Sequence, residues 1–560
     1  MIIFYHLVWY TINRHSYMKR LPEYIKYIAV TAFGFVFFGF LQGHSGFIDP
    51  DSFYHTKITE MMLSHGIVRH FYWLQFTVLN DIYIDHHFLY HIFLLPFIKL
   101  IPPLIGIKVA TVFINTWFIL LFYAFLKSQR IPATFLFVLL LLSGAPFIFR
   151  IDLVKASGFS LIFVILLLFA IYKASPYSFS KGRGRWGMYI LTGAISFFYV
   201  WAYGGWPISI FLAGVYFVAS LISNSILVTH VANSPLYRRI VVFLKRSEWK
   251  PLLATTLGSL MGLIINPYFP HNINFYWIQT VQIALVNYKS KIGVGAEWYG
   301  FSAAELMAYS GGILLFGLFG MLLFFGRLAK KKYLKPDYVM IRDIFFFFIS
   351  AGLFFVITLK ARRNTEYAFP FMVLSVAVFI KYFWDSTIYQ WIKNSILRVL
   401  RFRFFYKIFI GYLIFMFVMA FGINFWKVKV GSADNFAFDK YSEAMQIAKG
   451  ASEEDDIIFH SDWDDWLMLF YHNDYNRYIV GLGTTFMYKY NKDLYQKWRD
   501  ITWGDFSGDP YNIIKNNFKA KIIFIAEGDI DNMDKYFVNN EKYKLLYEGE
   551  GKVYKIINNY

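Results

Sequence analysis

Unbroken apolar runs constrain this chain more than any other feature of its sequence. The stretches 28–41, 134–148, 160–172 and 344–359 contain no charged residue. A helix needs roughly 20 mostly apolar residues to cross a bilayer, whereas soluble proteins place apolar residues at helix or strand periodicity. The composition agrees, because 57% of the 560 residues are hydrophobic and only 16% are charged. The sequence therefore predicts a polytopic α-helical membrane protein.

Hydropathy predicts about eleven transmembrane helices. Their approximate ranges are 24–42, 107–126, 132–149, 157–173, 187–203, 207–227, 251–266, 306–326, 343–359, 367–383 and 408–426. The segment His86–Ile101 is also apolar, but it is short, contains three histidines and runs into Pro102-Pro103. It is predicted to lie in the membrane interface on the outer side.

The distribution of positive charge predicts the orientation. The net charge is +19, and Lys and Arg collect in the N-terminal arm and in loops 173–186, 228–250, 327–342 and 384–407. Such loops face the cytoplasm, which explains the charge without a nucleic-acid partner. With an odd number of spans, the N-terminus is cytoplasmic and the C-terminus extracytoplasmic, in an inner (cytoplasmic) membrane.

The C-terminal stretch differs in kind from the rest. Residues 427–560 mix charged residues with short apolar runs such as 456–460, 478–482, 521–526 and 544–547, and with helical patterns at 440–449 and 493–499. This pattern is typical of a soluble α/β domain. Two domains are therefore predicted: a transmembrane domain over 1–426, whose first outer loop is 43–106, and an extracytoplasmic domain over 427–560.

Several chemistries find no support in the sequence. The chain has no cysteine, which excludes disulfides, thiolate metal sites and cysteine nucleophiles. It also lacks a Gly-rich phosphate-binding loop and a nucleophile elbow. A reaction driven by nucleotide hydrolysis is therefore not expected.

The most informative polar motif, Asp49-Pro50-Asp51-Ser52-Phe53-Tyr54-His55, follows the first predicted span. Two carboxylates one residue apart can share a divalent cation such as Mg²⁺ or Mn²⁺, or one can bind the metal while the other acts as a base. Equally, an Asp-Pro turn can simply start a helix near Ser52. The spacing alone leaves both interpretations open.

Three further outer loops carry charged residues close to the membrane. Asp152 lies between Arg150 and Lys155, which is typical of a surface ion pair or a helix cap. Glu297 is framed by glycines and by Trp298 and Tyr299. Arg362 and Arg363 lie between two spans, where paired guanidinium groups suit phosphate recognition but can also be interfacial anchors.

The histidines of loop 43–106 offer a different kind of site. His87 and His91 have the i, i+4 spacing of two zinc ligands on one helix face, but no His-Glu-x-x-His pattern surrounds them. A role in the interface or in lining a substrate site is the alternative.

Together these loops resemble the GT-C superfamily of membrane glycosyltransferases, and in particular the oligosaccharyltransferase catalytic subunit and its bacterial and archaeal relatives. The segment Asp49–His55 is similar to the acidic motif of the family's first loop, and Gly295–Tyr299 is similar to its S-V-S-E-type loop. The family's W-W-D-Y-G motif has no match here, and His460–Trp466 is at most a distant echo of it. The resemblance therefore supports sugar transfer from a lipid carrier rather than protein N-glycosylation in particular.

The resemblance implies specific roles for these residues. It implies a divalent cation held by Asp49, Asp51 and Asp152, and a general base among the carboxylates of Asp49, Asp51 and Glu297. Substrate contacts are expected from the basic and aromatic side chains of the outer loops: Arg362, Arg363, His55, Tyr54, Trp298, Tyr299 and His87. The implied partners are a polyprenyl-phosphate-linked sugar donor and a glycan, lipid or protein acceptor.

Two other functions compete with the transferase. A transporter or flippase for lipid-linked sugars would place ionisable residues near mid-bilayer and show paired half-repeats, whereas the charges here lie at the outer ends of spans. A non-catalytic membrane scaffold would need no acidic cluster around one cavity. The convergence of Asp49, Asp51, Asp152 and Glu297 on one place therefore separates these alternatives.

Overall fold

The computed structural model describes most of the chain beyond its first residues. The described residues are 22–177, 183–228, 247–286, 288–302, 304–308, 337–384, 403–432 and 436–557.

Apolar helices dominate the part of the chain before residue 432. Seven of the described helices are long and apolar enough to cross a membrane: Glu23–Leu41, Pro103–Ser128, Ser157–Ala174, Pro207–Ile226, Tyr338–Lys360, Arg362–Tyr382 and Ile414–Gly431. An eighth candidate is the pair Thr134–Leu141 and Ala145–Asp152, which is bent by 78°. The bend lies at Gly144, where any side chain would collide with the Phe369 ring, since a Cβ there would lie 2.2 Å from it.

Seven of the predicted spans coincide with these seven helices, and the predicted span 132–149 corresponds to the bent pair. The predicted span 187–203 corresponds to the helix Arg183–Ala202. The span predicted at 251–266 is a helix of only 15 residues, Lys250–Ile264. Most of the segment 306–326 lies outside the described residues, so the total of about eleven spans stays a prediction.

The first outer loop folds into short helices rather than an irregular connection. These helices are Asp51–His65, Tyr72–Leu74, Leu79–Ile82 and Phe88–Leu100. The last corresponds to the predicted interfacial segment and has 13 residues. At 1.5 Å per residue it is about 20 Å long, which is shorter than the hydrocarbon core.

A mixed five-stranded sheet lies in the C-terminal part. Its strands, in spatial order, are Arg477–Tyr478, Ile457–His460, Ala520–Ile525, Gly551–Ile556 and Tyr543–Gly549. The first three are parallel, and the last two run antiparallel to their neighbours. Four of these strands correspond to the predicted runs, and Gly551–Ile556 joins them. The helices of this part are Ser442–Gly450, Trp466–His472, Thr484–Tyr490, Lys492–Thr502 and Ile530–Met533.

The sheet separates two hydrophobic cores. Alternate side chains of its strands point to opposite faces, so Ile458 and Phe524 join the core shared with the apolar helices, whereas Phe459 and Ile523 join a second core. Trp466, fully buried, packs against the aromatic rings of the first outer loop.

Two polar contacts tie the sheet region to the first outer loop. Gly46–Phe47 pairs antiparallel with Phe436–Ala437, and Lys57 forms an ion pair with Asp474 at 2.9 Å. The sheet region is thereby held beside the motif that follows the first span.

Candidate functional site

Asp49 and Asp51 lie at the start of the helix Asp51–His65 and share one cation, the ammonium group of Lys155. The Lys155 Nζ lies 2.8 Å from Asp49 Oδ2 and 2.6 Å from Asp51 Oδ2. The other oxygen of Asp49 accepts the backbone N–H of Asp51 at 3.0 Å, which makes the turn that starts the helix. The motif therefore forms the Asp-Pro turn that starts a helix, and the cation that its two aspartates share in this structure is the ammonium group of Lys155.

Lys155 lies in the short loop 153–156 between two helices. The helix Ala145–Asp152 ends there and the helix Ser157–Ala174 begins. Ser52 Oγ donates to the Val154 carbonyl at 3.4 Å, so the loop rests on the first turn of the helix Asp51–His65. Packing of two separate loops therefore brings the lysine and the aspartates together.

Glu297 lies between two arginines from different parts of the chain. Arg150 approaches one of its oxygens at 2.6 Å, and Arg363 approaches the other at 2.9 Å. Arg150 also contacts Glu366 at 3.1 Å, and Tyr203 donates to Glu366 at 3.2 Å. Charged side chains from three segments of the chain, together with the hydroxyl of Tyr203, therefore form one continuous network.

The loop that carries Glu297 is fixed on both sides. The Arg363 guanidinium lies 4.4 Å from the Trp298 ring centroid, a cation–π geometry. The Arg362 N–H donates to the Tyr299 carbonyl at 2.8 Å. Gly300 sits against the end of the helix Tyr338–Lys360, where a Cβ would lie 1.9 Å from the Leu359 carbonyl oxygen, so only glycine fits.

The surroundings raise the pKa of Asp49 and lower the pKa of Glu297. Burial raises the pKa of Asp49, the charge of Asp51 raises it further, and Lys155 opposes both. Burial also acts to raise the pKa of Glu297, but Arg363, Arg150 and Lys155 outweigh it and hold this pKa well below the usual range. Glu297 is therefore a permanent anion, whereas Asp49 can take up a proton more readily.

The segment His460–Trp466 brings another carboxylate close to this network. Burial raises the pKa of Asp464, and the negative charges of Asp51 and Asp49 raise it further. Trp463 of the same segment lies beside Gly295, since a Cβ there would lie 3.6 Å from the indole ring. The segment His460–Trp466, a distant echo of the W-W-D-Y-G motif, therefore borders the cluster.

Asp152 is placed differently from the other predicted metal ligands. One of its carboxylate oxygens accepts from Gln42 Nε2 at 2.9 Å, and the other is buried without a hydrogen-bond partner. Asp49 and Asp51 are linked by Lys155 and not by an ion that they share with Asp152. Among the described residues, no three His, Asp or Glu side chains are arranged to hold a metal ion. The predicted set of Asp49, Asp51 and Asp152 therefore does not fit a divalent cation in this arrangement.

The two neighbouring arginines have different surroundings. Arg363 faces Glu297 and Tyr203. The Arg362 guanidinium instead donates to the Tyr299 and Gly300 carbonyls and lies 4.9 Å from the Phe301 ring centroid. Tyr299 is 40% exposed and lies outside the ion network.

The histidines form a buried chain next to the network. His55 Nδ1 lies 2.8 Å from His91 Nε2, and His91 Nδ1 lies 2.7 Å from Asp85 Oδ2. Both ring nitrogens of His91 are thereby engaged, which leaves none for zinc. His87 stacks on Tyr203 with ring centroids 5.6 Å apart. Burial lowers the pKa of His55 and His87, so both rings are neutral.

Tyr54 lies deeper than a substrate-stacking role requires. Its hydroxyl lies 2.8 Å from the Tyr83 hydroxyl, and its side chain is 4% exposed. Its ring packs near Trp466, so it joins the first outer loop to the sheet region.

Four residues of the network were not predicted as site residues: Arg150, Lys155, Tyr203 and Glu366. The sequence could have indicated the three charged residues, because charged side chains at the ends of apolar helices are energetically costly and often functional. Tyr203 had no such signal, since it is one of 42 tyrosines and its partners are far away in the sequence.

Comparisons with known proteins find structural neighbours that are membrane glycosyltransferases. No protein-family model and no curated protein sequence matches the chain. Among solved structures, the oligosaccharyltransferase AglB of Archaeoglobus fulgidus, with an inhibitory peptide and a dolichol-phosphate, matches over 96% of this chain and 75% of its own, with a TM-score of 0.55 and 11% identity. ArnT of Cupriavidus metallidurans, bound to undecaprenyl phosphate, matches over 97% and 99%, with a TM-score of 0.51 and 12% identity.

Both neighbours are GT-C glycosyltransferases. The resemblance predicted from the sequence is therefore confirmed at the level of the fold. At 11% and 12% identity the likeness shows the fold alone.

Proposed function

We propose that this protein is an integral-membrane glycosyltransferase that moves a sugar or glycan from a polyprenyl-phosphate-linked donor to an acceptor on the extracytoplasmic face. The observation that carries the proposal is the proximity of two ion clusters from separate loops. Lys155 pairs with Asp49 and Asp51, Arg363 pairs with Glu297, and the charge of Lys155 helps to lower the pKa of Glu297. Two structural neighbours of this fold were determined with polyprenyl phosphates, dolichol-phosphate in one and undecaprenyl phosphate in the other.

The network contains the groups that such a transfer needs. The donor's lipid tail lies in the bilayer and its phosphate at the water–lipid boundary, where charge develops on the leaving phosphate. Arg363, with its planar fork of N–H donors and its neighbour Arg150, can hold that phosphate in exchange for Glu297. Arg362 is proposed only as a contact at the rim, since its guanidinium is held by backbone carbonyls.

Asp49 is the proposed general base. Its raised pKa, caused first by burial, brings its proton affinity closer to neutral pH, where a base accepts a proton from an acceptor hydroxyl or amine efficiently. Direct displacement of the phosphate by that acceptor inverts the anomeric centre. Asp51 and Glu297 hold the surrounding cations in place.

The gene's effect on lipid-linked sugars and surface glycans tests this function. Mass spectrometry compares the source cell, its deletion strain, and the deletion strain expressing the wild type, Asp49→Asn or the exposed control Asp81→Asn. We expect the lipid-linked donor to accumulate and one glycan to lose a sugar in the deletion and with Asp49→Asn. The wild type and Asp81→Asn should restore both.

Identical lipid and glycan profiles with and without the gene would contradict a transferase. Donor accumulation that Asp49→Asn relieves as well as the wild type would remove Asp49 from the mechanism and favour transport of the lipid-linked sugar instead.

A further inference from the structure

The ammonium group of Lys155 occupies the point on which the two carboxylates of the first-loop motif converge. Its Nζ is within 2.8 Å of Asp49 Oδ2 and within 2.6 Å of Asp51 Oδ2. The side chain of Lys155 is 14% exposed, less than that of either aspartate. A single positive charge is therefore enclosed between two negative ones at the edge of the network.

A divalent cation and this ammonium group exclude one another. Oxygen ligands lie about 2.0–2.6 Å from Mg²⁺ or Ca²⁺, so an ion shared by the two Oδ2 atoms would stand where Nζ stands. Both oxygens of Glu297 face arginines. Asp152 turns to Gln42 with one carboxylate oxygen, and its other oxygen is buried without a hydrogen-bond partner.

Lys155 is held in this place by charge. Burial acts to lower the pKa of Lys155, but Asp49 and Asp51 outweigh it and hold this pKa well above its usual range. The lysine therefore carries its charge at every physiological pH and does not leave the aspartates by losing a proton.

The backbone around Lys155 is held as well. Its N–H donates to the Leu153 carbonyl at 2.8 Å, and Ser157 Oγ donates to the Arg150 carbonyl at 3.4 Å. These contacts form a tight connection between two helices, which directs the lysine side chain towards the helix Asp51–His65. A residue that only balanced surface charge would need no such framework.

We propose that Lys155 is the built-in cation of this site: it positions Asp49 and Asp51 and takes the place of the divalent ion that the sequence motif predicts. Its part in sugar transfer rests on the proposed function, whereas the occupation of the cation position does not. Lys155 is a positioning residue, because it acts through the two carboxylates.

Binding of Mn²⁺ to the purified full-length protein in detergent tests the occupation directly. Electron paramagnetic resonance measures free Mn²⁺ during a titration of the wild type, Asp51→Asn, Lys155→Ala and the double variant Lys155→Ala/Asp51→Asn. Removing the ammonium frees two carboxylate oxygens for a hard cation. We expect Lys155→Ala to bind about one more Mn²⁺ per chain than the wild type, and the double variant to lose it.

If Lys155→Ala fails to fold, the Mn²⁺ titrations of the wild type and of Asp51→Asn still show whether the wild-type site holds a metal ion. Equal Mn²⁺ binding by these two proteins supports an internal cation. A bound Mn²⁺ in the wild type that Asp51→Asn removes overturns the proposal, as does a folded Lys155→Ala that gains no ion.

A transfer assay separates this proposal from the proposed function. If the enzyme is active, we expect a chelator to leave wild-type transfer unchanged, Lys155→Ala to lose transfer and regain part of it with added Mn²⁺, and Lys155→Arg to keep most of it. Loss of wild-type transfer on chelation, restored by Mn²⁺, contradicts the internal cation. Absence of transfer in every variant contradicts the proposed function and leaves the Mn²⁺ titration to decide on Lys155.

Discussion

Two ion clusters lie near the two ends of the helix Tyr338–Lys360, and they differ in how completely they are enclosed. At one end, Arg342 pairs with Glu248 at 2.6 Å and with Asp343 at 2.8 Å. At the other end, Glu297 pairs with Arg363, three residues beyond the helix. Arg342 and the helix end are separated by about 27 Å along the helix axis, at 1.5 Å per residue.

The Arg342 cluster is closed. All three charged side chains are at most 3% exposed, and the Arg342 guanidinium lies within 5.8 Å of the ring centroids of three tyrosines, Tyr172, Tyr216 and Tyr338. Tyr382 donates to Asp343, and Tyr216 donates to Glu248. The charged atoms of this cluster are thus paired with one another or with tyrosine hydroxyls, and the cluster joins helices.

The cluster around Glu297 and Lys155 is partly open. Glu297 is 24% exposed and Asp51 is 38% exposed, although both are paired. The comparison teaches that charge near a membrane has two different uses here. The closed cluster joins helices, whereas the open cluster keeps part of its charge exposed.

The largest expected difference between the clusters is in stability. Arg342→Met leaves two buried carboxylates without a cation, which costs about 3–5 kcal/mol. Arg363→Met leaves Glu297 with Arg150 and partial contact with water, which costs about 1 kcal/mol. Thermal unfolding in detergent measures both, and Tyr382→Phe is a milder variant at the closed cluster if Arg342→Met does not accumulate. Equal shifts in Tm would show that the two clusters are not different in kind.

The next difference is in activity. Glu297→Gln removes the charge that positions both arginines, and transfer is expected to fall on the order of 10²-fold, while Tm changes little. Glu305→Gln, in an exposed part of the same outer region, is the matched control and should keep full transfer. A normal rate for Glu297→Gln would exclude the open cluster from the reaction.

The smallest expected effect is a pH dependence with opposite signs for activity and stability. Because burial raises the pKa of Asp49, its proton is taken up at a higher pH than that of an ordinary aspartate. Transfer should therefore fall about tenfold per unit below this raised pKa. A raised folded-state pKa means that protonated Asp49 stabilises the fold. This contribution is fully present below the pKa of Asp49 in the unfolded chain, and it is lost as the pH rises through the pKa of Asp49 in the folded protein.

A pH–rate profile and pH-dependent unfolding measure the two effects. Asp49→Asn should remove the part of the pH dependence of stability that comes from Asp49, since the amide does not titrate. An acid limb of transfer at the ordinary aspartate pKa would show that another group is the base.

Local patterns in the sequence determined the apolar helices, the strands at 457–460 and 520–525, and the motif Asp49-Pro50-Asp51. They did so because length, hydropathy and alternation are properties of contiguous residues. The resemblance to a membrane glycosyltransferase fold followed from the order of these motifs, and the structural neighbours agree with it.

Only the tertiary structure decided which charges meet. Asp152 has the same chemistry as Asp51, yet it turns to Gln42, while Lys155, three residues later, reaches the aspartates of another loop. Tyr203 enters the network although no charged residue lies near it in the sequence. Ion pairs between distant segments depend on how helices pack, and packing is a property of the whole chain that no local pattern contains.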